Sequence, residues 1–248
     1  MKSVILISYI LIFEAVTSRL SETIKFKATD GLEVTGELYM SREKTAPFII
    51  LFHQAGWSRG EYMEIAPKLN KRGFNCLAVD LRSGGAVNGV KNLTNQNAKD
   101  AGKGTSYIDA IADMLGAINY VKENYAQGKL IIWGSSYSSA LALKLAGDHN
   151  DIIDAVLAFA PGEYFSNQGK SKTYITTSAK NINQPVFITS SKNEKDKWWG
   201  IYQAIPEGNK TYYLPQTTGN HGSRALWEKF PDNNGYWEAV TKFLDSLK

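Results

Sequence analysis

The chain has 248 residues, 43% of them hydrophobic and 21% charged, with a formal net charge of +4. That is enough apolar material for one α/β domain or two small ones. The basic residues are scattered rather than blocked, which argues against a groove for nucleic acid or another polyanion, and the single cysteine excludes an internal disulfide and a cysteine-based metal site.

Met1 to Ser18 reads as a secretory signal. Lys2 supplies a short basic region, Val4 to Phe13 an apolar run, and Ala15-Val16-Thr17-Ser18 small residues for cleavage before Arg19. The run is short of the ~20 apolar residues that span a bilayer comfortably. The expected mature chain is therefore residues 19–248, one α/β domain, secreted or periplasmic and without stable membrane insertion. Cleavage removes Lys2 and Glu14 together, so the charge stays at +4.

Ile24 to Met40 alternates polar and apolar residues around Asp30-Gly31, which predicts a hairpin of two edge strands. Pro47 opens an apolar strand, Phe48 to Phe52, of the kind buried on both faces of a parallel sheet. His53-Gln54-Ala55-Gly56-Trp57 follows it. Tyr62, Ile65, Ala66 and Leu69 predict a helix over Glu61–Lys71 that stops at Gly73. The next strand, Phe74 to Val79, holds Cys76 as a small buried hydrophobe. Asp80 to Gly85 turns into a polar loop that runs to about Gly104. Asn-x-Thr sequons at Asn92 and Asn209 matter only in a eukaryotic secretory pathway. Tyr107 to Tyr125 is the strongest helix, with Ile108, Ile111, Ala112, Leu115, Ile118 and Val121 on one face.

Gly128 to Leu145 carries the most information. An apolar strand, Lys129 to Trp133, enters Gly134-Ser135-Ser136-Tyr137-Ser138, and a helix-forming run starts at once. This is the context of a G-x-S-x-G nucleophile elbow, with Ser138 in place of the second Gly. Ser136 stands at the apex, and the Tyr137 N–H at the helix start would face a developing oxyanion. A serine-rich loop that only caps a helix is the alternative.

Strand Ala155–Ala160 then ends at Pro161-Gly162, and a polar segment without a strong period runs to Asn183. A strand over Pro185–Ser190 leads to a charged turn, Ser191 to Lys197, and a helical stretch, Trp198 to Ile205. The last strand, Lys210 to Leu214, precedes Asn220-His221-Gly222, and Trp237 to Leu247 makes a terminal amphipathic helix. Such alternation implies a mostly parallel sheet covered on both faces, with chemistry at the carboxyl ends of the strands. Ser136, the charged turn and His221 all fall on that edge, in the order serine, acid, histidine. A serine needs an imidazole to take its proton. Of the three histidines, His221 alone follows the last strand.

Over essentially the whole mature sequence these motifs resemble the α/β-hydrolase superfamily. The resemblance rests on His53–Gly56, Gly134–Ser138, the acidic turn and Gly219-Asn220-His221-Gly222. Within it the chain is most similar to small capless enzymes of the dienelactone-hydrolase type, which usually carry a Cys nucleophile where Ser136 stands here. Their substrate does not come over with the fold. The resemblance implies an antiparallel N-terminal edge and no large cap, since Pro161 to Pro185 leaves room only for a short excursion. It implies Ser136 as nucleophile, His221 as base and Glu194, nine residues after Pro185, as orienting acid, with Asp196 as the alternative. The Ala55 N–H would join that of Tyr137 in the oxyanion hole. His53 would order the oxyanion turn, His149 would lie on the surface, and Asp80 and Arg82 would brace loops. Trp57, Tyr137, Tyr164, Trp198 and Trp199, on or near these edge loops, are candidates to line an acyl or sugar cleft, with core packing or chance exposure the equal alternative for each. The expected activity is carboxylic-ester hydrolysis of a small molecule through an acyl-enzyme, without metal or cofactor. A peptidase or thioesterase on the same scaffold, or a catalytically silent binding protein, are the alternatives.

Overall fold

The computed structural model describes residues 21–248, so the expected leader, Met1 to Ser18, lies outside the described residues. β1 (Glu22–Lys27) and β2 (Glu33–Tyr39) form the antiparallel hairpin around Asp30-Gly31, with Gly31 at a positive φ of 82°. β3 (Phe48–Phe52) precedes α1 (Ile65–Lys71) and β4 (Asn75–Val79). β2 also pairs with β4, so β1 alone is an edge, a correction to the two-edge reading of the hairpin. Gly36 makes that pairing possible: a Cβ there would press on the Leu77 side chain.

The polar stretch before Gly104 is folded, not a loop. β5 (Ala86–Val87) and β6 (Val90–Lys91) form a small hairpin whose turn, Asn88-Gly89, has positive φ at both residues, as a two-residue hairpin turn requires. α2 (Leu93–Asp100) follows, capped by Asn92, whose side chain accepts the Asn95 N–H at 2.7 Å. Apolar periodicity misses α2 because its buried residues are Thr94, Asn95 and Ala98, and Thr94 Oγ1 accepts the Thr35 N–H of β2. Asn92 is itself buried and donates to Leu81 O and Trp57 O, which closes its sequon to modification in the folded state.

α3 (Ile111–Asn124), β7 (Leu130–Ser135), α4 (Tyr137–Asp148) and β8 (Ala155–Phe159) come next. α5 (Tyr174–Ala179), β9 (Val186–Thr189), α6 (Lys195–Ala204), β10 (Lys210–Tyr213) and α7 (Asn233–Asp245) complete the chain. The eight-stranded sheet has the order β1-β2-β4-β3-β7-β8-β9-β10, parallel from β4 to β10. This is the mostly parallel sheet of an α/β-hydrolase. Alternate residues serve its two faces: Phe48, Ile50 and Phe52 pack with residues of α3, α4, α5 and α6, while Ile49, Leu51 and Trp133 pack with those of α1 and α7. The β8–β9 connection packs on α4, where Gly147 lies against the Ser178 backbone too closely for a side chain. It forms no large cap. Among the described residues no helix is long and apolar enough to cross a membrane.

Buried charges tie down the carboxyl edge of β4. Asp80, fully buried, accepts from the Arg59 N–H at 2.8 Å, Arg59 Nη1 at 2.7 Å and the Leu93 N–H at 2.9 Å. Arg82 is clamped between fully buried Asp113 and exposed Asp30. Losing one member of a buried pair strands its partner, at a cost of about 3–5 kcal/mol. Arg82→Leu should therefore lower unfolding free energy by about 3 kcal/mol or more in urea titration. A loss under about 1 kcal/mol would show that Asp113 finds other partners or takes up a proton cheaply.

Candidate active site

The elbow is made by crowding. β7 runs into α4 with only Ser136 between them, and Ser136 adopts φ 59° and ψ −124°, a region that side chains rarely enter. A Cβ on Gly134 would collide with the Ser139 backbone, so that position admits only glycine. Ser138 does more than stay small: its Oγ accepts the Ser135 N–H at 2.9 Å and lies 2.8 Å from Phe52 O, tying the ends of β7 and β3. The Ser136 N–H is spent on Phe159 O of β8 at 2.7 Å. Tyr137 is the first residue of α4, so its N–H has no intrahelical acceptor. In the turn after β3, the Ala55 N–H likewise has no acceptor among the described residues.

His221 and Glu194 meet. His221 Nδ1 lies 2.7 Å from Glu194 Oε1, with the side chains 29% and 13% exposed. Glu194 also accepts from Ser191 Oγ at 2.7 Å. Burial pushes its carboxyl up, but the hydrogen bonds from His221 and Ser191 and the charges of His221 and Lys197 outweigh this, leaving it at about 2. Glu194 closes a short 3-10 turn, Lys192–Glu194, while Asp196 lies in the first turn of α6 and is exposed. The helix begins earlier than the Trp198 start read from sequence, and that carries Asp196 away from His221.

The histidine loop is bonded to the elbow from behind. The Ser223 N–H donates to Ser135 Oγ at 2.9 Å, and Gly222 lies too close to Ser135 Oγ to carry a side chain. Among the described residues no hydrogen bond joins Ser136 Oγ to His221; such bonds are often loose before substrate binds. The Tyr164 hydroxyl donates to Ala160 O at 2.7 Å. Burial and the nearby Glu194 charge push its phenol well above the usual range.

His53 braces the turn after β3. Fully buried, its Nδ1 bonds Gln54 O at 2.8 Å and its Nε2 accepts the Leu81 N–H at 2.8 Å, so Nδ1 carries the proton. Burial holds its pKa below the ordinary value. His149 ends α4, half-buried. Of the edge-loop aromatics, two take the core alternative: the Tyr137 ring stacks on Tyr107, and Trp198 is fully buried with Nε1 donating to Ser190 Oγ. Trp57, half-buried, stacks on Trp227 at 5.3 Å, and Trp199 stacks on Tyr202. Among the described residues no group of three or more His, Cys, Asp or Glu side chains is placed to hold a metal ion. The residue that sequence reading missed is Glu61, completely buried beneath the elbow; its position at the head of an expected helix gave no sign of that.

Residues 43–195 match the family described as serine aminopeptidase, S33 (Hydrolase_4), a span that takes in the oxyanion turn, the elbow and Glu194. A curated relative, thiohydrolase apmlB of Arthrinium phaeospermum, is 30% identical over 159 residues, which make up 63% of this chain. The matched region is 49% of that protein, so the chain spans about half the length of the curated relative it matches. Among solved structures, the Pyrococcus furiosus esterase Pf2001 superposes with a TM-score of 0.71 at 19% identity, covering 92% of both chains. A dienelactone hydrolase from Anabaena variabilis gives 0.70 at 12% identity, over 92% of this chain and 99% of that one. Est1E from Butyrivibrio proteoclasticus, solved with ferulic acid, gives 0.69 at 13% identity, over 90% and 98%. At such identities the structural likeness shows the fold alone, and the family match carries the assignment. The chain belongs to the serine aminopeptidase S33 family of hydrolases, within the α/β-hydrolase superfamily.

Proposed function

We propose that this hydrolase is an exported serine esterase acting on a small carboxylic ester through an acyl-enzyme on Ser136. The observation that carries the reading is the strained Ser136 at the head of α4, on the edge where His221 is held by Glu194. The charged Glu194 carboxylate keeps the proton of His221 on Nδ1, which leaves Nε2 unprotonated and basic. Nε2 takes the Ser136 proton as Oγ attacks the acyl carbonyl, and the oxyanion accepts from the N–H groups of Tyr137 and Ala55. The imidazolium then protonates the leaving alkoxide, which departs as alcohol. Water, deprotonated by the same nitrogen, attacks the acyl-enzyme and releases the acid with Ser136 restored. No step requires a metal or cofactor. A second reading, thioester hydrolysis by the same steps, is favoured by the thiohydrolase relative. Export rests on the Met1–Ser18 pattern.

Ser136→Ala should abolish hydrolysis of p-nitrophenyl acetate and labelling by a fluorophosphonate while the far-UV circular dichroism stays unchanged. Labelling at Ser135 or Ser138 would sink the assignment. Acyl thioesters and aminoacyl p-nitroanilides assayed beside the ester rank the three chemistries by kcat/KM, and a dominant anilide activity would overturn the ester reading. Glu194→Gln should lower kcat on the order of a hundred-fold or more, because the imidazole loses its tautomer anchor. Asp196→Asn should cost little; the reverse ranking moves the acid to Asp196. N-terminal sequencing of exported protein should begin at or near Arg19, and Met1 retained in a membrane fraction would contradict export.

A further inference from the structure

Glu61 is a buried carboxyl with an unusual set of neighbours. It sits in the 3-10 turn Arg59–Tyr62, fully buried, and makes no ion pair with a lysine or arginine among the described residues. Its Oε2 accepts the Gln54 N–H at 2.8 Å, and its Oε1 accepts from Ser135 Oγ at 2.7 Å and Gln54 Nε2 at 3.3 Å. Burial pushes its pKa up to about 7, even though these hydrogen bonds and the charge of nearby His221 pull the other way. An isolated carboxyl of this kind is costly to bury, and well-packed apolar residues serve a fold at least as well. Space-filling does not explain it.

Its partners do. Gln54 immediately precedes Ala55 of the oxyanion turn, and Ser135 immediately precedes Ser136. Ser135 Oγ gives its proton to Glu61 and at the same time accepts the Ser223 N–H, two residues past His221. The Glu61 carbonyl accepts Trp227 Nε1 at 2.9 Å from the far end of the same histidine segment. Tyr62, the next residue, donates to Phe52 O at the end of β3 and lies 3.3 Å from Ser223 Oγ. One short turn therefore reaches the three loops that carry the oxyanion turn, the elbow and the histidine.

We propose that Glu61 is a positioning residue for hydrolysis: its carboxyl fixes the oxyanion turn through Gln54 and, through Ser135 Oγ, holds the His221 loop in register with Ser136. This rests on the roles of Ser136, His221 and Ala55 given under Proposed function. The direction of the bonds matters as much as their number. All three partners donate, so a glutamine amide at this position must point an N–H at a donor. Facing Gln54, it opposes the backbone N–H. Facing Ser135, it turns that hydroxyl away from its present acceptor. Either way the register between the oxyanion turn and the histidine loop shifts, while the volume stays the same.

Glu61→Gln, Ser135→Ala and Ser136→Ala are compared with the wild-type chain on p-nitrophenyl acetate, with urea midpoints measured alongside. For Glu61→Gln we expect kcat to fall on the order of ten- to a hundred-fold with KM within about three-fold, since misplacement of reacting groups acts on the transition state. The urea midpoint serves as the folding control, since loss of a buried carboxyl and an N–H facing a donor act on stability in opposite directions. Turnover within about two-fold of wild type overturns the inference. So does a kcat loss that comes with a raised KM and a lowered midpoint, which marks general loosening. Should Glu61→Gln fail to fold, Ser135→Ala decides: a similar kcat loss with KM kept supports the inference, and unchanged turnover overturns it. If Ser136→Ala keeps activity, the functional reading falls and the inference with it. If Ser136→Ala is dead but Glu61→Gln is fully active, only the inference falls.

Discussion

The left-handed backbone at Ser136 is the constraint on which the rest of the carboxyl edge depends. The chain leaves β7 and enters α4 with no intervening loop, and a single residue absorbs the reversal. Strain of this kind costs on the order of 1–3 kcal/mol and persists only where surrounding bonds over-determine it. Here they do. The Ser136 N–H is held by Phe159 O, its C=O accepts from Ser139 Oγ and the N–H groups of Ser139 and Ala140, and Ser138 Oγ bridges to Phe52 O. The same crowding that forces the strain presents the Ser136 hydroxyl above the sheet and leaves the Tyr137 N–H unspent. β3, β7 and β8 must be in register for those bonds to exist, so the elbow and the central sheet specify one another.

Behind the elbow the protein replaces apolar packing with fixed polar groups. Asp80, Arg82 with Asp113, His53, Asn92 and Ser135 are all nearly or fully buried, and each bonds backbone of a loop other than its own or a partner from another element. Loops at the end of a parallel sheet cannot borrow order from ladder hydrogen bonds. Directional side-chain bonds supply it, and they fix position where a greasy contact would fix only proximity. His53 illustrates the cost that is accepted: burial keeps its imidazole neutral, and both nitrogens are committed to holding Gln54 and Leu81.

What could be read from the sequence follows the same division. Phe48–Phe52, the β7 run and Pro185–Ser190 announce themselves because a strand buried on both faces is continuously apolar. The strand-end positions of Ser136 and Glu194 could be read because motif and spacing are local to such strands. α2 was invisible because its buried face is Thr94, Asn95 and Ala98, and only the Asn88-Gly89 turn and the Asn92 cap hinted at folded structure there. For Trp198 and Tyr137, sequence position alone leaves cleft and core open. The early start of α6 and the Tyr107 stack turn them into the core. Glu61 could not be found at all, since its meaning comes from Ser135, 74 residues away, and from a loop more than 160 residues away.

Two glutamates lie near His221, and their surroundings drive them in opposite directions. Glu194 keeps some contact with solvent and collects donors from His221, Ser191 and Lys197, so its carboxyl stays charged even in acid. Glu61 has donors too, but among the described residues no lysine or arginine pairs with it, and burial dominates. Separating paired carboxyls in this way is how a site gives them different work. A permanently charged acid suits the imidazole's Nδ1, because it fixes one tautomer and stabilises the imidazolium. In the proposed mechanism a second full charge as close would raise the basicity of His221 further and weaken its ability to give the proton to a leaving group. In the proposed arrangement Glu61 is an acceptor at the base of the loops whose charge burial disfavours, with Ser135 Oγ standing between it and the histidine segment.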